Sequence, residues 1–329
     1  MRAVVVALRL ISACIFVPTP SVNAASAAWK PARPVELVAP SAAGGGTDIT
    51  ARALQKIFQD QRLLEVATTV VNRPGGAGNI ALAYLKQHAS DAHYVAVASA
   101  LLITNEIDGK STYSYRDFTP LALLSSEYVA FVVNAEAPLK TGKDLLARLA
   151  KDASMVSVAV GTSLGGVNHA AAALAAKAAG ADAKKLKTVV FKSSAESVTA
   201  LLGGHVDLVV SSASVVAPYV EAGQLRMLAI AAPRRGRGVL ADVPTWKEQG
   251  SDIVVDNFRV LTGPPALDGA QIAYWDAVLS KLLRGAEWKQ QLEKNLWTGD
   301  YLTSNETLIY MGQQHEALRR ILVELAMAK

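Results

Sequence analysis

Cysteine, aromatic residues and excess charge are scarce in this sequence of 329 residues. It contains one cysteine, 6% aromatic residues and a formal net charge of +5. Without Arg2 and Arg9 near its start, 31 basic residues face 28 acidic ones, which leaves a net charge of +3. So small an excess gives little support to nucleic-acid binding, and we expect no nucleic-acid partner.

The single cysteine, Cys14, lies in an N-terminal segment that we expect to be removed. The mature chain would then form no disulfide, thiolate nucleophile or cysteine metal site. A chain without cysteine suits an oxidising compartment.

An apolar run long enough to span a membrane is missing from the N-terminus, where the apolar stretch covers residues 3–17. A span needs about 20 residues, which argues against a membrane anchor. We predict a signal peptide over residues 1–27, cleaved after Ala24 or Ala27, and therefore a periplasmic protein. The alternative is a lipid anchor at Cys14, because Ile11-Ser12-Ala13-Cys14 resembles a lipoprotein processing box.

Recognisable enzyme signatures are absent from the sequence. It has no G-x-S-x-G elbow, no H-E-x-x-H, no Walker lysine and no pair of histidines at metal spacing. We therefore expect no catalytic residues, no metal and no cofactor. A secreted α/β enzyme using Asp48, His169 or Asp207 as acid or base remains an alternative.

What is present is an alternation of short apolar runs with helical patterns, typical of an α/β protein. The predicted strands are Val35–Ala39, Val66–Val71, Tyr94–Ser99, Val129–Asn134, Val156–Gly161, Thr188–Lys192, Leu208–Ser211, Leu225–Ala231 and Val254–Val260. The predicted helices are a first one with its apolar face at Ile49, Ala53, Leu54, Ile57 and Phe58, then Asn79–Gln87, Gly142–Lys151, Asn168–Ala179, Ala195–Leu202, Gly269–Arg284, Glu287–Leu296 and Thr307–Ala328.

At this length we expect two lobes that share a crevice. Candidate boundaries lie at Ser125–Val129 and Arg234–Asp242. The first lobe would then be discontinuous, over residues 28–128 and 236–329, with the second lobe inserted at 129–235. Two hinge crossings would permit closure around a ligand.

A glycine-rich loop follows the first predicted strand and opens the first helix. Glycines let backbone N–H groups approach a ligand, and the start of a helix favours an anion. An ordinary strand-to-helix turn is the alternative, but it does not need three successive glycines. The candidate ligand contacts in this loop are Ala42, Ala43, Gly44, Gly45, Thr47 and Asp48.

A second loop of the same form lies between a strand and an alanine-rich helix of the second lobe. Two helix starts facing one crevice would hold negative charge without an arginine. His169, one turn into the helix, has a structural hydrogen bond as its alternative role. The candidate contacts here are Thr162, Ser163, Gly165, Gly166, Asn168 and His169.

Further candidates carry weaker support. Ser193, before another short helix, either caps that helix or contacts ligand, and Asp207 either faces the crevice or closes a turn. Arg73, in the second glycine cluster Asn72–Asn79, is interpreted as structural with a possible share of the crevice rim. The basic cluster Arg234–Arg237 is interpreted as solvated surface.

Laid end to end, these segments resemble the solute-binding receptors of tripartite tricarboxylate transporters, the Bug receptor family. The matching segments, over about residues 30–260, are "VELVAPSAAGGGTDITARAL", "VVNRPGGAGNIA", "VGTSLGGVNHAAAALAAKAAG", "LLGGHVDLVV", "APYVEAGQLRMLAI" and "DVPTWKEQG". Departures are "FKSSAES", where many relatives are glycine-rich, and "SDAHYVAVAS", which lacks the usual Asp-Gly.

The resemblance implies a periplasmic binding protein of type II topology that captures a small carboxylate between its lobes. It implies ligand contact at Ala42–Asp48 and Thr162–His169, mostly through backbone N–H groups and water. The partners would be a di- or tricarboxylate, an aromatic or an amino-acid carboxylate, and the permease subunits of the transporter, with the receptor a monomer. A sensory module presenting solute to a membrane kinase is the alternative.

Overall fold

The computed structural model describes residues 29–161, 163–299 and 301–329. The predicted signal peptide and Thr162 lie outside the described residues. Within them, no helix is long and apolar enough to cross a membrane.

Two five-stranded mixed sheets organise the described residues. The first sheet has the order β2-β1-β3-β10-β4 and the second β7-β6-β8-β5-β9. The strands are β1 Val35–Ala39, β2 Thr68–Asn72, β3 Tyr94–Ser99, β4 Thr119–Ser125, β5 Val129–Asn134, β6 Ser157–Gly161, β7 Lys187–Phe191, β8 Leu208–Ser212, β9 Leu225–Ile230 and β10 Arg259–Gly263. In each sheet three strands run parallel, and the fourth position holds a strand antiparallel to both neighbours.

Helices cover both sheets. They are α1 Gly46–Asp60, α2 Asn79–Gln87, α3 Leu101–Ile107, α4 Gly142–Lys151, α5 Val167–Ala178, α6 Ser194–Leu202, α7 Ala213–Glu221, α8 Gly269–Arg284, α9 Ala286–Lys294 and α10 Ser304–Glu324. Their buried faces pack on the sheets, around Phe58 and Trp275 in the first lobe and around Leu201 and Val216 in the second. A third apolar cluster includes residues of both lobes, among them Phe258 and Trp246.

The predicted fold class is confirmed, because the chain forms two α/β lobes, each built on one five-stranded sheet. Three elements were missed, namely β4, α3 and α7. The strand predicted at Val254–Val260 is wrong in place, because those residues mostly form the chain crossing and β10 begins at Arg259.

Two extended segments connect the lobes side by side. The first runs from the end of β4 at Ser125 to the start of β5 at Val129. The second passes back through Asp256, which forms an antiparallel bridge with Tyr128. The Asn257 amide donates to the Glu127 carbonyl across the same pair, at 2.8 Å.

The return to the first lobe comes later than we predicted. Trp246 N–H donates to the Ile230 carbonyl at 3.1 Å, and Val255 N–H donates to the Ala231 carbonyl at 3.0 Å. The Trp246 ring also packs edge-on against Phe131 of β5, with centroids 4.8 Å apart. The segment after β9 therefore stays on the second sheet as far as residue 255, rather than leaving it at 235.

Candidate ligand-binding site

A crevice of about 60 Å³ lies between the lobes, at the carboxyl ends of β1 and β6. A volume of this size holds several water molecules or a compact solute. It is lined by Pro40, Ser41, Gly45, Gly46, Thr47, Ser99, Leu101, Gly161, Gly166, Val167, Asn168, Ser194, Ser212, Asn257 and Arg259.

Four helices begin at this crevice. Gly45 and Gly166 are the N-cap residues of α1 and α5, Ser194 is the first residue of α6, and Ser212 is the N-cap of α7. The N-caps of α1, α5 and α7 make no side-chain capping hydrogen bond. Because the first N–H groups of a helix have no partner within the helix, these starts direct donors and partial positive charge at the crevice.

Some residues of the first predicted loop line the crevice, whereas others hold the loop in its conformation. Gly45, Gly46 and Thr47 line the crevice, and the Thr47 hydroxyl lies 2.8 Å from that of Ser41. Ala42 and Ala43 do not line it. The Ala42 carbonyl instead accepts from the Gly45 amide at 3.1 Å and closes the turn.

Asp48 holds this loop and is turned away from the crevice. Its buried carboxylate accepts from the amide of Gly44 at 2.9 Å, from Asn72 at 2.8 Å and from Arg52 at 3.0 Å. Burial alone would raise the pKa of Asp48, but the hydrogen bonds from Arg52, Gly44 and Asn72 hold the pKa below its usual value. The carboxylate is therefore ionised and its charge is offset by Arg52.

In the second loop Gly166 and Asn168 line the crevice, whereas His169 supports the loop. Its Nδ1 accepts from the Gly165 amide at 3.0 Å, so the ring proton lies on Nε2. Burial, with a smaller contribution from the charge of Lys110, lowers the pKa of His169 to about 4. The ring is neutral at pH 7 and acts as a structural acceptor. Ser163 is buried and bonds the Leu164 carbonyl at 2.7 Å.

Two further candidates have structural roles. Ser193 is the N-cap of α6 and accepts from the Glu196 amide at 3.2 Å, while its neighbour Ser194 lines the crevice. The expectation that Asp207 faces the crevice needs correction. Its exposed carboxylate accepts from Ser157 at the start of β6, at the opposite ends of the parallel strands.

The remaining predicted features lie outside the main crevice. The Arg73 guanidinium sits 3.5 Å from the Tyr84 ring centroid, a cation–π contact that fits the structural interpretation. The glycines at Gly75–Gly78 border a neighbouring pocket of about 180 Å³, opposite Val190, Phe191 and Lys192. In the basic cluster, Arg235 pairs with exposed Glu248 at 3.0 Å.

Sequence reasoning missed the charged floor of the crevice. Arg259, at the start of β10, is 3% exposed and its Nη2 pairs with the carboxylate of Glu127, itself 1% exposed. Asn257 and Ser212 line the crevice together with Arg259. The available signal was an arginine inside the apolar run "NFRVLTG", where a charge has to find a buried partner. Among the described residues no Asp or Glu side chain lines the crevice, and none form a group suited to hold a metal.

Two α/β lobes with this strand order, joined by paired crossings and enclosing one crevice, define a two-lobed solute-binding protein. The family model described as Tripartite tricarboxylate transporter family receptor matches residues 51–325, and the chain belongs to that family. The resemblance drawn from the sequence is thus confirmed.

Individual relatives and solved structures are consistent with this family assignment. Protein BugT of Bordetella pertussis is 29% identical over 260 residues, covering 77% of this chain and 78% of BugT. The crystal structure of a TctC solute-binding protein from Polaromonas is 28% identical, with a TM-score of 0.64 over 89% of this chain and 99% of that one. MatC from Rhodopseudomonas palustris, solved with bound malate, shares the fold at 22% identity, with a TM-score of 0.78 over 89% of this chain and 99% of MatC.

Proposed function

We propose that this receptor captures a small carboxylate in the crevice and delivers it to the permease of a tripartite transporter. The observation that supports this best is the convergence of four helix N-termini, one from the first lobe and three from the second, on one crevice. Such an arrangement stabilises an anion. MatC, which has the same fold, binds malate, and this favours a carboxylate here too.

The number of donors is sufficient for useful affinity. A hydrogen bond to a charged oxygen contributes about 1.5 to 3 kcal/mol. Micromolar binding requires about 8 kcal/mol. Four such bonds therefore reach this range even after part of their energy is lost to ordering the ligand and closing the lobes.

Lobe boundaries and export also belong to the proposal. The second lobe runs from residue 129 to about 255, and the flanking segments form the first lobe. We also propose that a signal peptide over residues 1–27 takes the chain to the periplasm, which suits a receptor of this transporter family. A ligand that contacts both lobes binds the closed form better, so closure can report occupancy to the permease.

Calorimetry of the purified mature protein tests the carboxylate. The panel is malate, succinate, adipate, benzoate and glutamate, with erythritol as an uncharged solute of similar size to malate. We expect saturable binding of at least one acid and none of erythritol, with every ligand recovered unchanged. Binding of erythritol without binding of any acid would overturn the assignment.

A further inference from the structure

Arg259 is placed to meet whatever occupies the crevice. Its guanidinium lies beside the start of α1: a Cβ on Gly46 would be 2.5 Å from Nη2 and 3.6 Å from Nε. Its side chain comes from β10, on the first-lobe side of the crossing, and lines the crevice with Asn257 and Ser212. The question is which of its donors is free.

Both terminal nitrogens are already used. Nη1 donates to the Asn257 side chain at 2.8 Å, to the Asn257 carbonyl at 2.9 Å and to the Phe258 carbonyl at 3.1 Å. Nη2 donates to Glu127 at 2.5 Å and to Ser212 at 3.3 Å. Nε, although buried, has no hydrogen-bond partner among the described residues.

Glu127 does not accept from this remaining donor. Its second oxygen accepts from the Ser214 hydroxyl at 2.7 Å and from the Trp297 indole at 3.1 Å. Both carboxylate oxygens are therefore held in place, and the ion pair is fixed from both lobes and the C-terminal segment. A buried donor on a charged group is seldom left without an acceptor, so a ligand or an ordered water has to complete it.

We propose that Arg259 directs its Nε–H at an oxygen of the bound carboxylate and is a ligand-contact residue of this receptor. The inference rests on the proposed function and deepens it. Glu127 offsets the charge of Arg259. Arg259 therefore contributes to ligand binding through the direction of its Nε–H donor more than through net charge. Lysine could keep the ion pair, but it lacks the planar fork and has no equivalent of Nε–H.

Side-chain NMR of the full mature receptor tests this directly. The Arg259 Nε–Hε resonance is assigned as the one that disappears in Arg259→Lys, or in Glu127→Gln/Arg259→Gln if the single variant does not fold. Formate, the smallest carboxylate, is then titrated into the wild-type protein, followed by malate. The matched control is Arg226→Lys, since Arg226 donates to the carbonyls of Ala137 and Leu139 and does not line the crevice.

We expect the Arg259 resonance to shift saturably with formate, while the Arg226 resonance does not move. Any acid that binds wild type should bind Arg259→Lys at least tenfold more weakly and Arg226→Lys unchanged. If the Arg259 resonance does not shift with formate, or shifts only linearly with salt concentration as other resonances do, the acceptor of Nε–H is a water molecule and the inference is wrong. If formate shifts it but no acid of the larger panel binds, the inference stands and the proposed function fails.

Discussion

Gly165 lies where the second lobe meets Asp108 and Lys110 of the first lobe. Its φ is +78°, and a Cβ there would overlap Oδ2 of Asp108 and lie 2.9 Å from Nζ of Lys110 in the first lobe. Gly165→Ala should therefore lose both the loop conformation and the contact between lobes. We expect acid binding measured by calorimetry to weaken at least tenfold.

Gly180 provides the matched control, because its φ of +74° is similar but no atom of the described residues lies within 4 Å of a Cβ there. A left-handed alanine costs about 1 to 2 kcal/mol at either position. Gly180→Ala should thus lower the unfolding free energy and leave affinity unchanged. Equal affinities for the two variants would show that Gly165 is needed only for its backbone conformation.

Asn168 offers a second test at the scale of one residue. Asn168 lines the crevice in the first turn of α5, and its Oδ1 has no hydrogen-bond partner among the residues that the structure describes. Asn168→Asp keeps the shape and adds negative charge beside the bound anion. Only about 1.4 kcal/mol of repulsion gives a tenfold loss. We expect at least that loss by calorimetry.

Asn134→Asp adds the same charge at the end of β5, where Oδ1 already accepts from the Glu136 amide at 3.0 Å. That variant should bind like wild type. If both variants bind acids normally, the crevice is not an anion site.

The role of a single residue could be predicted from sequence where that role depends on its neighbours along the chain. The glycine loops could be located because a strand, a run of small residues and a helix start are adjacent in sequence. Arg259, Glu127 and Ser212 come from different segments and meet only in three dimensions. Asp48 and His169 lie in the right loops, yet hydrogen bonds to Arg52 and to the Gly165 amide give them supporting roles.

At the scale of elements, the paired crossings carry a half-buried acid, Asp256. Asp256 accepts from Ser126 in the other crossing and from Tyr310 of α10, both at 3.0 Å, while its Oδ1 has no partner within the described part of the chain. Burial raises the pKa of Asp256 to about 6 from its ordinary value of 3.8, against these two hydrogen bonds, which act to lower it. The hinge therefore holds a carboxyl that the fold prefers to keep protonated.

The sign of the pH dependence follows from that shift. Between about pH 4 and 6 the folded protein binds this proton while the unfolded chain does not, so stability falls as pH rises through this range. Asp256→Asn cannot titrate. We expect its unfolding free energy to exceed that of wild type by about 1 to 3 kcal/mol at pH 7.5 and to match it near pH 4.

Urea denaturation at several pH values measures the difference between variant and wild type. Asp252→Asn serves as control, since Asp252 is exposed four residues earlier in the same segment. Its curve should parallel wild type. A constant difference for Asp256→Asn at all pH values would contradict the titration.

Helices could be predicted accurately where the spacing of apolar residues and the capping residues at the helix ends indicated the same bounds. Helices α2, α4 and α8 were predicted to the residue, and α4 and α8 carry capping boxes. By contrast, β4 was missed: its sequence is the apolar run "TPLALLS", which lies beside an expected lobe boundary. Helix α7, which contains Pro218, was missed as well. The late return crossing was hidden because backbone pairing, such as Trp246 to Ile230, leaves no pattern in sequence.

For the whole molecule, the balance between open and closed forms determines how tightly a ligand is held. Lys110 links the lobes: Nζ pairs with Asp108 in its own lobe and donates to the Leu164 carbonyl of the second lobe at 2.8 Å. A hydrogen bond from a partly exposed ammonium contributes about 1 kcal/mol, which is roughly a fivefold change in the closed-to-open ratio. Apparent affinity follows the closed fraction.

Lys110→Met should therefore weaken acid binding about two- to fivefold, through faster dissociation, without lowering the unfolding free energy of the separate lobes. Small-angle scattering should show a larger radius of gyration for this variant without ligand, and the wild-type value at saturating ligand. Lys56→Met is the control, because Lys56 pairs with Asp60 of its own helix α1. If Lys110→Met and Lys56→Met give the same scattering and the same affinity, the lobes close without help from the Lys110 contact, and ligand alone must supply the free energy of closure.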